Sequence, residues 1–84
     1  MVYLVYGITD CPACLRACAL LMELNLEYVF VETDFAKSYR KQLQKQYEQT
    51  TFPIIVRQSE LETLIVGGYD DLLRHVEQHG LTSI

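Results

Sequence analysis

Two strand-like runs flank a helix-like run at the start of this chain, and that order leaves few folds open. Val2 to Tyr6 is apolar, β-branched or aromatic throughout, as in a central strand buried on both faces. Glu27 to Glu32 repeats that character, with Tyr28, Val29, Phe30 and Val31 at its centre. Between them, from Pro12 to about Leu24, Leu15, Cys18, Ala19 and Met22 recur at helical spacing and form the expected inward stripe. Asn25 is a reasonable helix stop. Strand, helix and strand make a βαβ unit, whose two strands are parallel.

The rest of the chain extends this unit. A second helix is expected from about Phe35 to Glu48, with Phe35, Tyr39, Leu43 and Tyr47 turned to the core and Lys37, Arg40, Lys41 and Lys45 on a solvated face. Pro53 to Arg57 and Glu62 to Val66 read as strands joined by a turn at Gln58-Ser59-Glu60, an antiparallel hairpin. A third helix starts at Asp70-Asp71 and runs to about His79, with Leu72, Leu73 and Val76 inward and Gly80 as its stop. The sum is an α/β chain of order β-α-β-α-β-β-α: a four-stranded mixed sheet with three helices, expected to form one domain over residues 1–84.

Bulk properties exclude some functions. A net charge of −4 argues against nonspecific nucleic-acid binding. No apolar run approaches the roughly 18 residues of a membrane span, so no membrane role is expected. Met1-Val2-Tyr3-Leu4 enters a strand directly, without the pattern of a secretory leader, which points to a reducing, cytoplasmic setting. Three cysteines form a poor disulfide scaffold, so a CxxC here reads as catalytic or metal-binding.

That CxxC is Cys11-Pro12-Ala13-Cys14, placed where the first strand hands over to the first helix. A thiol is a nucleophile only as the thiolate, and the unpaired N–H groups of a helix N-terminus favour that form. Two intervening residues on a helical turn bring the thiols within disulfide reach, and Pro12 suits the first turn, where a missing N–H costs nothing. Thr9 or Asp10 can cap the helix. Asp10 also opposes the Cys11 thiolate through like charge. In open α/β sheets, sites gather beyond the carboxyl ends of the strands, which is where this dithiol falls.

Thr51-Phe52-Pro53 is the second informative segment. Proline at a strand entrance cannot donate to the ladder, and the X–Pro bond has only a small trans preference. A cis Phe52–Pro53 bond would leave the Phe52 N–H and C=O free to pair with an extended peptide beside the dithiol.

With Gly67-Gly68-Tyr69-Asp70-Asp71 as a third element, the whole chain resembles the glutaredoxin family, within the thioredoxin-like fold. The resemblance implies a glutathione-dependent thiol–disulfide oxidoreductase. Cys11 is then the nucleophile and Cys14 the resolving thiol. Thr51, Phe52 and Pro53 form the platform for the cysteinyl part of glutathione, and Gly68, Asp70 and Asp71 the site of its γ-glutamyl end. Glutathione is a co-substrate, with no tightly bound cofactor and no metal. The implied partners are disulfide-containing or glutathionylated proteins, ribonucleotide reductase being common among small relatives, and the implied state is a monomer.

The chain departs from the family at Ile8, where a basic residue is usual, and at Ala13, where an aromatic is common. Arg40, on the second helix, is the candidate replacement for the lost cation, and weaker glutathione binding is expected. Arg40 or a neighbouring lysine contacting glutathione or a protein partner is the alternative to a purely solvated face. Two other functions stay open: an iron–sulfur cluster held between two subunits, which Ala13 accommodates and Cys14 argues against, and a thioredoxin-like carrier served by a flavoprotein reductase. A zinc site pairing the CPAC thiols with His75 and His79 is disfavoured by the sequence distance. Cys18 reads as a small buried hydrophobe, with a redox-sensitive third thiol as the alternative. Tyr6 and Tyr69 read as packing residues, and His75 and His79 as lying at the exposed side and end of the last helix.

Overall fold

The computed structural model describes residues 1–80. Its elements are β1 (Val2–Gly7), α1 (Pro12–Glu23), β2 (Tyr28–Glu32), α2 (Lys37–Gln46), β3 (Ile54–Gln58), β4 (Thr63–Gly67) and α3 (Tyr69–Gln78). This is the predicted order. The sheet runs β2-β1-β3-β4, with β1 parallel to β2 and antiparallel to β3, and β3 antiparallel to β4. Pro53 stays outside the ladder and pairing starts at Ile54, because proline has no N–H to give.

The central strands β1 and β3 are covered on both sides. Tyr3, Val5 and Ile55 point to one face, where they meet Ala17 and Leu21 of α1 and Leu72 and Val76 of α3. Ile54 and Val56 point to the other, under Leu43 of α2, with Leu4, Tyr6, Tyr39, Tyr47 and Phe52 packed around them. The period-2 alternation of the strands thus feeds two cores. Each fully buried Leu, Ile or Val contributes about 1.5–3 kcal/mol.

Three expectations about faces are corrected. In α1 the buried residues are Cys14, Ala17 and Leu21, whereas Leu15 and Met22 are exposed. In α2 the helix begins at Lys37, so Phe35 precedes it and lies 76 % exposed, stacked on Tyr39. In α3 His75 is buried, and its Nε2 lies 2.9 Å from the Tyr3 hydroxyl. Leu72 and Val76 face inward as expected, and Leu73 is half-buried. Asn25 ends α1 in the left-handed region at φ 57, where asparagine is tolerated better than most residues.

Candidate active site

The N-cap of α1 is Cys11 itself. Its backbone is extended, and its sulfur accepts the Cys14 N–H at 3.1 Å. A donor aimed at this sulfur stabilises negative charge on it, as does the positive end of α1. The capping role expected of Thr9 or Asp10 is therefore filled elsewhere. Thr9 instead donates through its N–H and its hydroxyl to the carboxylate of Asp34, which ties the loop before Cys11 to the segment after β2.

Cys11 and Cys14 are joined as a disulfide, with their Cα atoms 5.2 Å apart. Cys11 keeps 9 % of its surface exposed and Cys14 none. Cys14 packs onto the end of β1 because residue 7 is glycine: a Cβ there would lie 2.7 Å from the Cys14 sulfur and 2.8 Å from the Phe30 ring. Cys18, on the same helix, is free and half-buried, and burial pushes its thiol pKa up. Burial disfavours its thiolate, in keeping with a packing role. The Tyr6 hydroxyl is likewise pushed up, to about 12, by burial first and by Tyr47 next.

The Phe52–Pro53 bond is cis, and the Phe52 carbonyl oxygen lies 3.9 Å from the Cys11 sulfur. The turn carrying them is held from below. The Gln49 side-chain amide donates to the carbonyls of Thr51 at 2.9 Å and Pro53 at 2.7 Å, and that of Gln44 donates to Thr50 at 2.8 Å. Across the cleft, α3 opens on Gly68. Its N–H donates to Asp71 Oδ2 at 2.9 Å, so the N3 carboxylate caps the helix, while Oδ1 of the same group meets Arg74. Gly67 takes φ 117, a left-handed conformation suited to glycine, and a Cβ there would collide with the Asp71 carboxylate.

A cleft of about 430 Å³ lies between these elements. It brings together Thr51, Phe52, Pro53, Gly68, Asp70 and Asp71, with Ala13 of the dithiol turn on its rim. Arg40 is not among its walls. That residue lines a neighbouring groove with Lys37, Lys41, Gln44 and Phe52, and a second hollow with Ile8, Asp10 and Asp34. Phe52 alone is common to the cleft and the basic groove. Arg16 and Gln49 also line the cleft and were not singled out from the sequence. Arg16 was legible as the one cation on α1, two positions past Cys14, whereas nothing in the sequence marks Gln49. Tyr69 both packs on the core and lines the cleft. Among the described residues, no three His, Cys, Asp or Glu side chains converge to hold a metal ion, and no helix is long and apolar enough to cross a membrane.

The family model described as Glutaredoxin matches residues 3–61, well over half of the chain. The solved glutaredoxin from Brucella melitensis is 31 % identical, with a TM-score of 0.73 over 95 % of this chain and 82 % of that one. Reduced Escherichia coli glutaredoxin is 24 % identical, with a TM-score of 0.77 over 98 % of this chain and all of that one. The buckwheat glutaredoxin–glutathione complex is 22 % identical, with a TM-score of 0.76 over 94 % and 71 %. No curated protein matches the chain. The architecture shared with these structures is the thioredoxin-like fold.

Proposed function

Because the chain belongs to the glutaredoxin family, we propose that its thiol–disulfide oxidoreductase chemistry is glutathione-dependent, reducing protein disulfides and glutathione mixed disulfides in the cytoplasm. The observation that carries this reading is the Cys11–Cys14 pair standing beside the Thr51–Pro53 turn, next to a cleft that ends at Gly68–Asp71.

The steps follow from the arrangement. The Cys11 thiolate attacks one sulfur of a substrate disulfide; a Cys11–substrate S–S bond forms, and the other substrate sulfur leaves as thiolate and takes a proton. The Cys14 thiol, giving up its proton, then attacks Cys11, releasing the second substrate thiol and leaving the Cys11–Cys14 disulfide. Two glutathiones return two electrons and two protons, become glutathione disulfide and restore the dithiol. A glutathionylated substrate needs only Cys11: its thiolate takes the glutathionyl group, and a second glutathione removes it.

In this reading glutathione lies extended along the cleft. Its cysteinyl backbone pairs with the N–H and C=O of Phe52, and its γ-glutamyl carboxylate meets the free N–H groups at the start of α3. A glutathione complex of a protein with this fold, the buckwheat glutaredoxin, supports the placement. Each oxygen of Asp71 keeps a lone pair beyond its contacts with Gly68 and Arg74, which leaves Asp71 able to accept from the glutathione amino group. Proteins with accessible disulfides are the partners, with ribonucleotide reductase as the family analogy.

The test is reduction of a glutathionylated small thiol, coupled through glutathione reductase to NADPH oxidation. Turnover that vanishes in Cys11→Ser is the expected result. No turnover by the native protein, with a dithiol that thioredoxin reductase still reduces, would replace glutathione dependence with a thioredoxin-like carrier.

A further inference from the structure

All the lysines of this protein, Lys37, Lys41 and Lys45, stand on α2 together with Arg40, and α2 has no Asp or Glu. They make up four of the seven cations in a chain with eleven carboxylates, so one helix is strongly basic on an acidic molecule. Among the described residues the ion pairs are Arg57–Glu62 and Arg74–Asp71, neither of which involves α2. The Arg40 Nε is buried and has no hydrogen-bond partner.

These cations are not spread over a featureless face. Lys37, Arg40 and Lys41 border a groove of about 340 Å³ with Gln44 and the half-buried Phe52. Phe52 is also a wall of the main cleft, and its carbonyl oxygen is 3.9 Å from the Cys11 sulfur. Phe52 thus joins the basic groove to the cleft, and its backbone carbonyl connects both to the nucleophile's neighbourhood.

We propose that this groove docks an acidic segment of the protein substrate, a stretch with Asp or Glu side chains close in sequence to the disulfide being reduced. The inference rests on the dithiol chemistry of Cys11 and Cys14 but not on glutathione dependence. Three cations at the groove meet the carboxylates, and Phe52 offers an apolar contact where the groove adjoins the cleft. Because the whole chain is at −4, an acidic partner is repelled from most directions and attracted most strongly along α2, where four of the seven cations stand. Docking there delivers the flanking disulfide to Cys11.

The test uses three peptides with the same internal disulfide, flanked by acidic, neutral or basic residues. The protein is reduced, freed of reductant and mixed with each peptide in a single turnover without glutathione. Two electrons pass from Cys11 and Cys14 to the peptide, leaving a protein disulfide and a peptide dithiol. Rates are divided by those with dithiothreitol, which removes the effect of the flanking charges on the peptide thiols themselves. The acidic peptide is expected to react about tenfold faster than the neutral one at low salt, the ratio falling towards one at about 0.5 M salt. In Lys37→Gln/Lys41→Gln the ratio also falls towards one, while the rate with the neutral peptide is unchanged.

Equal rates for acidic and neutral peptides, or a preference retained in the double variant, would overturn the proposal. If no peptide is reduced, the dithiol reading fails on its own, and docking is then decided by fluorescence anisotropy with serine-for-cysteine versions of the acidic and neutral peptides. Tighter binding of the acidic peptide that is lost in the double variant sustains the groove, and equal binding removes it. Displacement of the acidic peptide by an oligodeoxynucleotide of equal charge, at equal concentration, would make the groove a general polyanion site and also overturn the proposal.

Discussion

The hydroxyl of Tyr3 lies 2.9 Å from Nε2 of His75, a buried link between the first strand and the last helix across 72 positions of sequence. The two rings meet edge to face with centroids 5.8 Å apart, and the His79 ring lies tilted against His75 at 4.5 Å. Burial, then His79 and Arg57, hold the His75 pKa below its ordinary value of 6.5. A neutral imidazole with Nε2 unprotonated accepts a hydrogen bond from the tyrosine hydroxyl, and a protonated imidazole has no lone pair to do so.

Stability should therefore depend on pH. The unfolded chain takes up a proton at His75 near pH 6.5, before the folded protein does, so the folded state loses ground as pH falls below that value. The unfolding midpoint should drop between about pH 7.5 and 5.5, and His75→Asn should flatten that dependence. Tyr3→Phe should cost about 1 kcal/mol at neutral pH, from the lost hydrogen bond. Thermal unfolding across this range checks both; a slope unchanged in His75→Asn would assign the dependence to other groups.

The two cysteines should separate by function. Cys14→Ser should keep a measurable fraction of the activity on glutathionylated substrates and lose the reduction of protein disulfides, whereas Cys11→Ser should lose both. The coupled NADPH assay with each substrate type decides this, and equal losses in the two variants would undo the division of roles.

Asp71 combines a structural and a proposed binding role, and two substitutions pull them apart. Asp71→Asn keeps an oxygen for the Gly68 N–H and should stay close to native stability while raising the KM for glutathione. Asp71→Ala loses the cap as well and should cost about 1 kcal/mol. Denaturant unfolding run beside steady-state kinetics reads the two effects independently.

The charge before the nucleophile should slow it. Asp10→Asn removes the carboxylate adjacent to Cys11 and should raise the rate of iodoacetamide capture of the reduced protein about threefold, the factor given by an exposed-charge interaction of about 0.6 kcal/mol. An unchanged rate would mean that the α1 terminus and the Cys14 N–H alone set the reactivity of Cys11.

Neighbouring positions on α1 should respond very differently. Leu21 is fully buried between α1, β1 and α3, and Leu21→Ala should cost about 3 kcal/mol. Met22 is 61 % exposed, and Met22→Ala should stay within about 0.5 kcal/mol. Chemical denaturation of the two variants distinguishes the observed helix face from the one suggested by the sequence.

That last contrast shows where sequence patterning stopped. The strands were legible because β1 and β3 are apolar runs that need cover on both faces, and the site segments because Cys11–Cys14, Thr51–Pro53 and Gly68–Asp71 each carry a backbone peculiarity. On α1, Ala13 to Met22 is apolar except for Arg16, so periodicity could not choose a face, and sheet packing made the choice. Phe35 fitted a four-residue stripe only if α2 began earlier than it does. His75 looked like a surface residue because its partner, Tyr3, is distant in sequence. Arg40 was placed on the correct helix, but its neighbourhood depended on how α2 meets Phe52, which no local pattern encodes.

Placing every lysine on one helix gives this protein an electric dipole moment as well as a net charge. In dilute salt a field or a charged surface turns the molecule before it touches, and α2 leads towards anything anionic. Its behaviour on ion exchangers and at interfaces should then follow orientation rather than isoelectric point. An overall anion can adhere to an anionic matrix through α2, with the rim of its dithiol turned to the contact.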